Sequence, residues 1–322
     1  MNKMKRKKYL IYCWPYNEIV GGFIVLHKIC DILNSTGEIA YMCPACELPE
    51  GRSSIKRIFH SILHPIKTLH IFGRIFLQCT RYRLNDNWNC KVINPFRLIF
   101  SNGLKNYIVL YPELVSENPL NARNVTRILM HNPGHFTKET NYGSGELLFR
   151  FSNSFAREFT PPAKSIISKS LLNVGTTPDC FKAPTSQIER SGVAYALRKG
   201  KGKKLVHETN DAILIDNLSI QEVAEVFKRV KMFVSYDPIT AFSRYALLCH
   251  CPSVIILGEN EKETTFRPDI DEAMMYAYSI EDVDKKDWDK SYRQAELMAE
   301  NKNRRNEESV QNYITETQSF FA

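Results

Sequence analysis

The segment Met232–Leu257, MFVSYDPITAFSRYALLCHCPSVIIL, decides the fold class of this 322-residue chain. It predicts a buried strand (MFVSY), a sharp turn at Asp237-Pro238, a short helix over Ile239–Cys249 and a second buried strand (SVIIL). Both strands are continuous apolar runs, which is typical of parallel strands that are covered on both faces. The segment therefore predicts part of an α/β sheet.

Three polar residues, Asp237, Thr240 and Ser243, follow the first of these strands. In open α/β sheets, ligands bind in the crevice outside the carboxyl ends of the strands. Asp237 could also simply cap the helix, although capping and ligand contact can coexist. A polar cluster at this place predicts a ligand site.

The amino-terminal residues predict a βαβ unit of the same kind. Tyr9–Trp14 and Glu38–Cys43 have the apolar runs of buried strands, and Phe23–Leu33 has the apolar face of a helix. Gly21 and Gly22 stand at the turn from strand to helix, where backbone N–H groups can approach a phosphate. A tight turn without a ligand is the alternative. Glu18, in the same loop, is placed to act as a base.

Further strands are predicted at Tyr107–Tyr111 and Val125–Met130, and a strand or short helix at Ser165–Val174. Gly143–Ala163 is predicted to be irregular. Glu113, His131 and His135 follow the two strands. A Glu or His at a strand end can be a general base, although a single His is more often structural.

A second domain begins with a strand at Gly192–Leu197, followed by short strands at Leu205–His207 and Ala212–Ile215. Ser219 and Glu222 form a capping box before a helix that leads into the opening segment. The fold class is therefore α/β, with two doubly wound Rossmann-like domains facing a cleft. We expect a first domain at 1–174, a linker at 175–190, a second domain at 191–290, and a helical tail at 291–322 that packs back toward the first domain.

Arg198, Lys199 and Lys201 follow the first strand of the second domain, among glycines. Cations at a strand's carboxyl end predict a diphosphate clamp that faces the same crevice as Asp237. A solvated basic hairpin tip is the alternative.

The charge of the chain is uneven, with a formal net value of +8 and a basic first half. The segment 53–77 is a basic amphipathic insertion without acids, which predicts contact with an anionic membrane surface. A helix that packs on the sheet with a basic solvent side is the alternative. No apolar run is long enough to span a membrane, and no signal peptide is recognisable, so a cytoplasmic protein with reduced cysteines is expected. Cys43 and Cys46 form a CxxC that lacks a second pair of zinc ligands at suitable spacing.

Several segments resemble glycosyltransferases of the GT-B fold. They are GGFIVLHKICDILNSTGEIAYM from Gly21 and SYDPITAFSRYALLCHCPSVI from Ser235. More narrowly, YPELVSENPLNARNVTRILMHNPG and GVAYALRKGK resemble bacterial transferases of capsule, O-antigen or lipopolysaccharide synthesis. The resemblance covers residues 9–260. In one respect the chain departs from it, because Tyr245 stands where retaining members often carry a second carboxylate, and His250 stands where they usually have Gly.

The resemblance implies a nucleotide sugar as donor, bound mainly to the second domain, and an oligosaccharide or lipid-linked saccharide as acceptor in the first. It implies no cofactor and no metal, since Arg198, Lys199 and Lys201 would neutralise the leaving diphosphate. Glu18 would be the base, with Glu113 or His131 as alternatives. The donor-binding residues implied are Gly21, Gly22, Arg198, Lys199, Lys201, Asp237, Thr240 and Ser243. The enzyme would be cytoplasmic, held at the inner face of the membrane by 53–77.

The sequence leaves two other functions open. A non-catalytic nucleotide-sugar-binding relative is favoured by Tyr245 and His250. A dinucleotide-dependent oxidoreductase is disfavoured, because the chain has Gly21-Gly22 without a GxGxxG turn and the second strand ends at Cys43-Pro44. No motif for nucleic-acid binding is present, so a nucleic-acid partner is not expected.

Overall fold

A computed structural model describes residues 6–45, 73, 75–96, 104–138, 140–186, 189–259, 261–263 and 270–322. The chain forms two compact units. Unit 1 comprises residues 1–176 and 304–322, and unit 2 comprises residues 177–303. The helical tail is thus divided between the two units.

Unit 1 is built on a six-stranded sheet in the order β2-β1-β3-β4-β5-β6, and every strand pairing in it is parallel. The strands are β1 (Lys8–Cys13), β2 (Ala40–Pro44), β3 (Tyr107–Pro112), β4 (Asn124–Leu129), β5 (Leu147–Arg150) and β6 (Ile166–Leu171). All residues of β3 and β4 are buried. For β3 this agrees with its continuous apolar run, which is typical of central parallel strands. Strand β4 buries three polar residues, whose side chains are hydrogen-bonded: Asn124, Thr126 and Arg127.

Two helices cover one face of this sheet. Helix α1 (Gly21–Ser35) contributes Leu26, Ile29 and Leu33 to the core, and the last helix of the chain packs beside it. The Tyr313 hydroxyl of that last helix lies 2.9 Å from the Thr126 hydroxyl of β4. These contacts attach the carboxyl-terminal helix firmly to unit 1.

Unit 2 is built on a four-stranded parallel sheet in the order β10-β9-β7-β8. Its strands are β7 (Val193–Ala196), β8 (Ile213–Leu214), β9 (Met232–Ser235) and β10 (Ser253–Ile255). The later helices of the chain are α2 (Ile220–Arg229), α3 (Phe242–Leu248), α4 (Ile270–Ala273), α5 (Trp288–Glu300) and α6 (Lys302–Phe320). The prediction of two parallel α/β domains is confirmed.

One of the predictions of local structure was confirmed, and others were wrong. The capping box before α2 is present, with both the Ser219 and the Glu222 side chains bonded to the backbone. The prediction of an irregular 143–163 was wrong, because β5 lies within it. The strand predicted at Leu205–His207 is absent, since Leu205 and Val206 are exposed and the Val206 N–H donates to the Tyr236 hydroxyl. Helix α3 is shorter than predicted at both ends.

The predicted membrane-binding insertion 53–77 lies outside the described residues, except for 73 and 75–77. Cys46 of the CxxC also lies outside them, and Cys43 is buried in β2. Among the described helices, none combines the length and the hydropathy needed to cross a membrane.

Candidate functional site

Each sheet has one point where the strand order reverses direction. In unit 2, β7 has β8 on one side and β9 on the other, so the order reverses between β7 and β9. In unit 1, β1 has β2 on one side and β3 on the other. The loops at the carboxyl ends of the strands diverge at such a point and leave a crevice, which is where ligands bind in this class of sheet.

The basic turn of unit 2 follows β7, on one side of this switch point. Arg198–Gly200 forms a single 3₁₀ turn, and Arg198 has a left-handed backbone with φ of 41°. The Asp216 carboxylate accepts hydrogen bonds from the Leu197 N–H (3.3 Å) and the Arg198 N–H (2.9 Å). Asp216 follows β8, so two neighbouring strand ends fix the shape of this turn. A non-glycine residue with positive φ carries strain, which such contacts must offset.

The Arg198 guanidinium is half-buried over the Phe242 ring, with Cζ 4.3 Å from the ring centroid. Burial lowers the pKa of Arg198, and the charges of Asp216 and Asp237 oppose that shift. Its Nε is buried without a hydrogen-bond partner among the described residues. An unpartnered buried donor costs free energy, so a ligand anion at this place would satisfy it.

Lys199 and Lys201 are exposed on the same turn. Their side chains are therefore accessible to solvent. Gly200, by contrast, is buried against the main chain of Tyr236.

Asp237 and Thr240 follow β9, on the other side of the switch point, and both are nearly fully buried. The Asp237 Oδ1 accepts from the Ile239 N–H at 3.1 Å, and the Thr240 hydroxyl lies 3.4 Å from the Phe242 N–H. Asp237 does not cap α3, since the N-cap residue is Ala241, which has no side-chain cap. Ser243 is fully buried, and its hydroxyl has no partner among the described residues.

Two contacts at this edge were not predicted. The Lys203 ammonium donates to the Ile256 carbonyl (3.1 Å) and to Glu261 (2.7 Å), which ties the basic turn to the residues after β10. The His207 Nδ1 lies 2.7 Å from the Tyr236 hydroxyl, and burial lowers the pKa of His207. The only sequence signal was the number of Lys and His residues in the loop after β7.

The switch point of unit 1 collects several of the predicted residues. Gly21 and Gly22 begin α1, and a β-carbon on Gly22 would approach the Met130 side chain at the end of β4 to 3.4 Å. Glu113 follows β3 and is buried, and its Oε2 accepts from the Met130 N–H at 3.3 Å. Glu18 is exposed in the loop after β1. The structure therefore gathers Gly22 and Glu113 around Met130.

His131 follows Met130 and lies in an aromatic cluster. Its ring centroid is 4.1 Å from that of His135 and 5.4 Å from that of Phe155. Its Nδ1 accepts from the Asn132 N–H at 2.8 Å. An Nδ1 that accepts leaves the proton on Nε2, so neutral His131 presents a donor rather than a base at that atom.

Tyr245 and His250, the two departures from the GT-B pattern, have structural partners. The Tyr245 ring stacks on Phe181, with centroids 4.5 Å apart. His250 has φ of 52°, in the left-handed region that favours glycine. Its ring stacks on Tyr292 at 4.7 Å, and its Nε2 lies 2.9 Å from Glu296. These two contacts hold a histidine in the left-handed conformation.

The described residues contain no group of three or more His, Cys, Asp or Glu side chains arranged to hold a metal ion. The polar groups at the two switch points are cations, hydroxyls and isolated carboxylates.

No family model matches the chain, and no curated protein matches it. Three solved structures similar to it are glycosyltransferases. The first is SnogD from Streptomyces nogalater (10% identity, 97% of this chain and 99% of that one, TM-score 0.37). The second is VinC in complex with DTDP (10% identity, 98% of this chain and 95% of that one, TM-score 0.33). The third is the spinosyn rhamnosyltransferase SpnG complexed with thymidine diphosphate (9% identity, 97% of this chain and 98% of that one, TM-score 0.28). These TM-scores are too low to establish a common fold.

Proposed function

We propose that the protein is a glycosyltransferase that moves a sugar from a nucleotide-diphosphate donor to a saccharide acceptor. The observation that carries the proposal is Arg198. Its guanidinium is half-buried at the switch point of unit 2, with one unpartnered donor and with exposed Lys199 and Lys201 on the same turn. Three cations at the carboxyl end of a central parallel strand fit a diphosphate.

Departure of a nucleoside diphosphate places negative charge on its phosphate oxygens. Arg198, Lys199 and Lys201 would stabilise that charge without a metal ion. Asp237 lies across the switch point and has an oxygen that can accept a hydrogen bond from a sugar hydroxyl. Thr240 and Ser243, nearby after β9, and the glycines Gly21 and Gly22 in unit 1 complete the proposed donor-binding set.

The acceptor hydroxyl needs a base. Glu113 is the best-supported candidate, because its side chain is buried at the switch point of unit 1, where its Oε2 accepts from the Met130 N–H. A carboxylate at a strand end can act as a general base if the acceptor hydroxyl comes within hydrogen-bond distance of it. Glu18 is one alternative. His131 is the less suitable one, because its Nδ1 accepts from the Asn132 N–H and the proton of the neutral ring is then on Nε2.

The biological setting we propose is bacterial surface polysaccharide synthesis, namely capsule, O-antigen or lipopolysaccharide. The acceptor would be an oligosaccharide or a lipid-linked saccharide. The protein would work in the cytoplasm, at the inner face of the membrane if 53–77 binds anionic lipid. The support for this setting is the sequence resemblance and the basic composition of that segment.

A second candidate function is a nucleotide-sugar-binding protein without transferase activity. The packing of Tyr245 favours it, since the ring occupies the place of the second carboxylate and is stacked on Phe181 instead of facing a ligand. Both functions predict that the protein binds a nucleotide sugar, but only the transferase would transfer the sugar.

A thermal-shift screen with UDP-, GDP-, TDP- and CMP-sugars tests the proposal. We expect stabilisation by one of the three diphosphate donors, and none by the CMP-sugar, whose single phosphate cannot engage all three cations. Lys199→Ala and Asp237→Asn should reduce the shift, whereas Lys231→Ala, at the opposite end of β9, should leave it unchanged.

Turnover assays with the stabilising donor then separate the two functions. Glu113→Gln should abolish transfer while the thermal shift persists, because it removes the base and not the donor site. Stabilisation without transfer or donor hydrolysis would support the binding protein. No shift with any donor, or equal losses in Lys199→Ala and Lys231→Ala, would refute the proposed donor site.

A further inference from the structure

A cavity of about 500 Å³ opens at the amino-terminal edge of the unit 1 sheet. This is the edge opposite to Glu113 and the switch point. The cavity is large enough for a small organic anion. Its lining residues are Lys7, Lys105, Arg123, Asn124, Gly145, Phe320, Phe321 and Ala322.

The three cations of the lining form a row along the sheet. Lys7 precedes β1, Lys105 precedes β3 and Arg123 precedes β4, and these three strands are neighbours in the sheet. Because all of them are parallel, their amino ends lie at one edge. Neighbouring strands are about 4.8 Å apart, so the row spans about 10 Å at the backbone. Long side chains on such a row can converge on one phosphate or diphosphate.

Some other cations of unit 1 have acidic partners. Arg6 pairs with Glu38, Lys28 with Asp31 and Arg127 with Glu146. No Asp or Glu side chain lines the cavity, and within the described residues none of its three cations forms an ion pair.

The end of α6 offers only partial compensation for this charge. Helix α6 ends at Phe320, beside the cavity, and a helix carboxyl end carries a charge of about −0.5. A main-chain carboxylate on Ala322, which also lines the cavity, would add one full negative charge. Three positive charges exceed the sum of these two, so the cavity retains an excess of positive charge that an anion would neutralise.

The loops that carry the cations are fixed in place by the protein. The Lys7 N–H donates to Gln318 Oε1 at 3.0 Å, and Gln318 Nε2 donates back to the Lys7 carbonyl at 2.8 Å. The Asn124 amide donates to the carbonyls of Lys105 (3.1 Å) and Tyr107 (2.9 Å). Backbone positions held in this way reduce the ordering cost of binding.

We propose that this cavity is a second binding site, for a phosphate-bearing anion, and that it is separate from the donor site. Lys7, Lys105 and Arg123 bind the phosphate oxygens. Phe320 and Phe321, which meet edge-to-face with centroids 4.8 Å apart, supply an apolar wall for the organic part of the ligand. The phosphate can belong to a soluble ester or to a lipid headgroup, since both present the same charged oxygens.

Calorimetric titration with inorganic pyrophosphate tests the site. The starting protein is the full chain with Lys199→Ala and Lys201→Ala, which removes two cations of the donor site. Adding Lys105→Ala and Arg123→Ala should weaken binding at least about tenfold, because two charge-assisted hydrogen bonds are lost. Adding Arg157→Ala and Lys169→Ala instead removes the same charge from exposed positions away from the cavity, and should weaken binding less than about threefold.

A sedimentation assay separates the two sources of phosphate. Vesicles of phosphatidylcholine are compared with vesicles that also contain phosphatidic acid. A lipid headgroup is identified if the protein binds the acidic vesicles and two further conditions hold. Pyrophosphate must compete with this binding, and the Lys105→Ala and Arg123→Ala changes must remove it. Pyrophosphate binding without vesicle binding identifies a soluble ester. The proposal is overturned if the starting protein does not bind pyrophosphate, or if the cavity changes and the charge-matched changes weaken binding equally.

Discussion

Gly200 lies directly against the main chain of Tyr236, so closely that a β-carbon on Gly200 would overlap the Tyr236 carbonyl group. Gly200 belongs to the basic turn after β7, and Tyr236 follows β9. The contact therefore brings the two sides of the unit 2 switch point together. Only glycine permits this distance between the two backbones.

Gly200→Ala should consequently displace the turn. We expect the free energy of unfolding of unit 2 to fall by about 2 kcal/mol or more, because main chain cannot move aside as a flexible side chain can. Urea unfolding measures this change. Lys199→Ala, on the neighbouring exposed residue, should alter stability by less than about 0.5 kcal/mol. A Gly200→Ala protein as stable as wild type would show that the backbones separate at little cost.

Tyr245 offers a test of the departure from the GT-B pattern. Its ring stacks on Phe181 and meets Phe242 edge-on at 5.8 Å. Tyr245→Glu should destabilise unit 2 by roughly 3 kcal/mol, because it removes a packed ring and places a charge among apolar side chains. Tyr245→Phe keeps the ring and should cost less than about 1.5 kcal/mol. Thermal unfolding compares the two. Unchanged stability in the Glu variant, with tighter nucleotide-sugar binding, would contradict the packing role.

The buried pair of Arg127 and Glu146 supports the loop after Glu113. Arg127 Nε lies 2.5 Å from Glu146, and the guanidinium also donates to the carbonyls of Val115 and Glu117. Glu146→Ala should lower the free energy of unfolding by about 3–5 kcal/mol, because it leaves a buried charge without its partner.

The pair of partly exposed Lys228 and exposed Glu225 provides the control for that change. Glu225→Ala should cost less than about 1 kcal/mol, since solvent screens the pair. Guanidinium unfolding of both variants gives the comparison. Similar losses in the two variants would mean that the buried pair contributes no more than a surface one.

The buried side chain of His27 should make the stability of the protein depend on pH. Burial lowers the pKa of His27 from 6.5 to about 4, against a smaller opposite effect of the Phe23 carbonyl. Between these pH values the unfolded chain binds a proton that the folded chain does not. Stability therefore falls as the pH drops from 6.5 to 4, by roughly 3 kcal/mol from this group.

His27→Gln removes this contribution. The stability difference between wild type and the variant should be constant above pH 7 and should shift by roughly 3 kcal/mol, against the wild type, as the pH falls to 4. Urea unfolding at a series of pH values measures the difference. A difference that stays the same over the whole range would refute the assignment to His27.

Much of the fold follows from apolar runs in the chain. Buried parallel strands such as Tyr107–Pro112 consist of such runs, and they can be recognised without knowledge of their neighbours. Strand β5 could not be recognised in this way, because it has four residues and ends at half-buried Arg150. Leu205 and Val206 were mistaken for a strand since local apolarity does not reveal exposure.

The candidate site was predictable where it depends on position along a strand. Arg198 and Asp237 each follow a strand, and the parallel arrangement then places them at one edge. The partners that shape the site were not predictable. Asp216 binds the N–H of Arg198 from 18 residues away, and Lys203 reaches Glu261 from 58 residues away. One sequence has no pattern that reveals pairs at such separations.

The division of unit 1 into 1–176 and 304–322 has a consequence for synthesis of the chain. During translation, unit 2 emerges from the ribosome before the part of α6 that belongs to unit 1. Until then Tyr9 and Thr126 lack the helix that carries their partners Thr317 and Tyr313. Domains generally fold as units during synthesis. Unit 2, which is inserted in unit 1, can therefore fold first. Until α6 is synthesised, one face of the unit 1 sheet is incompletely covered.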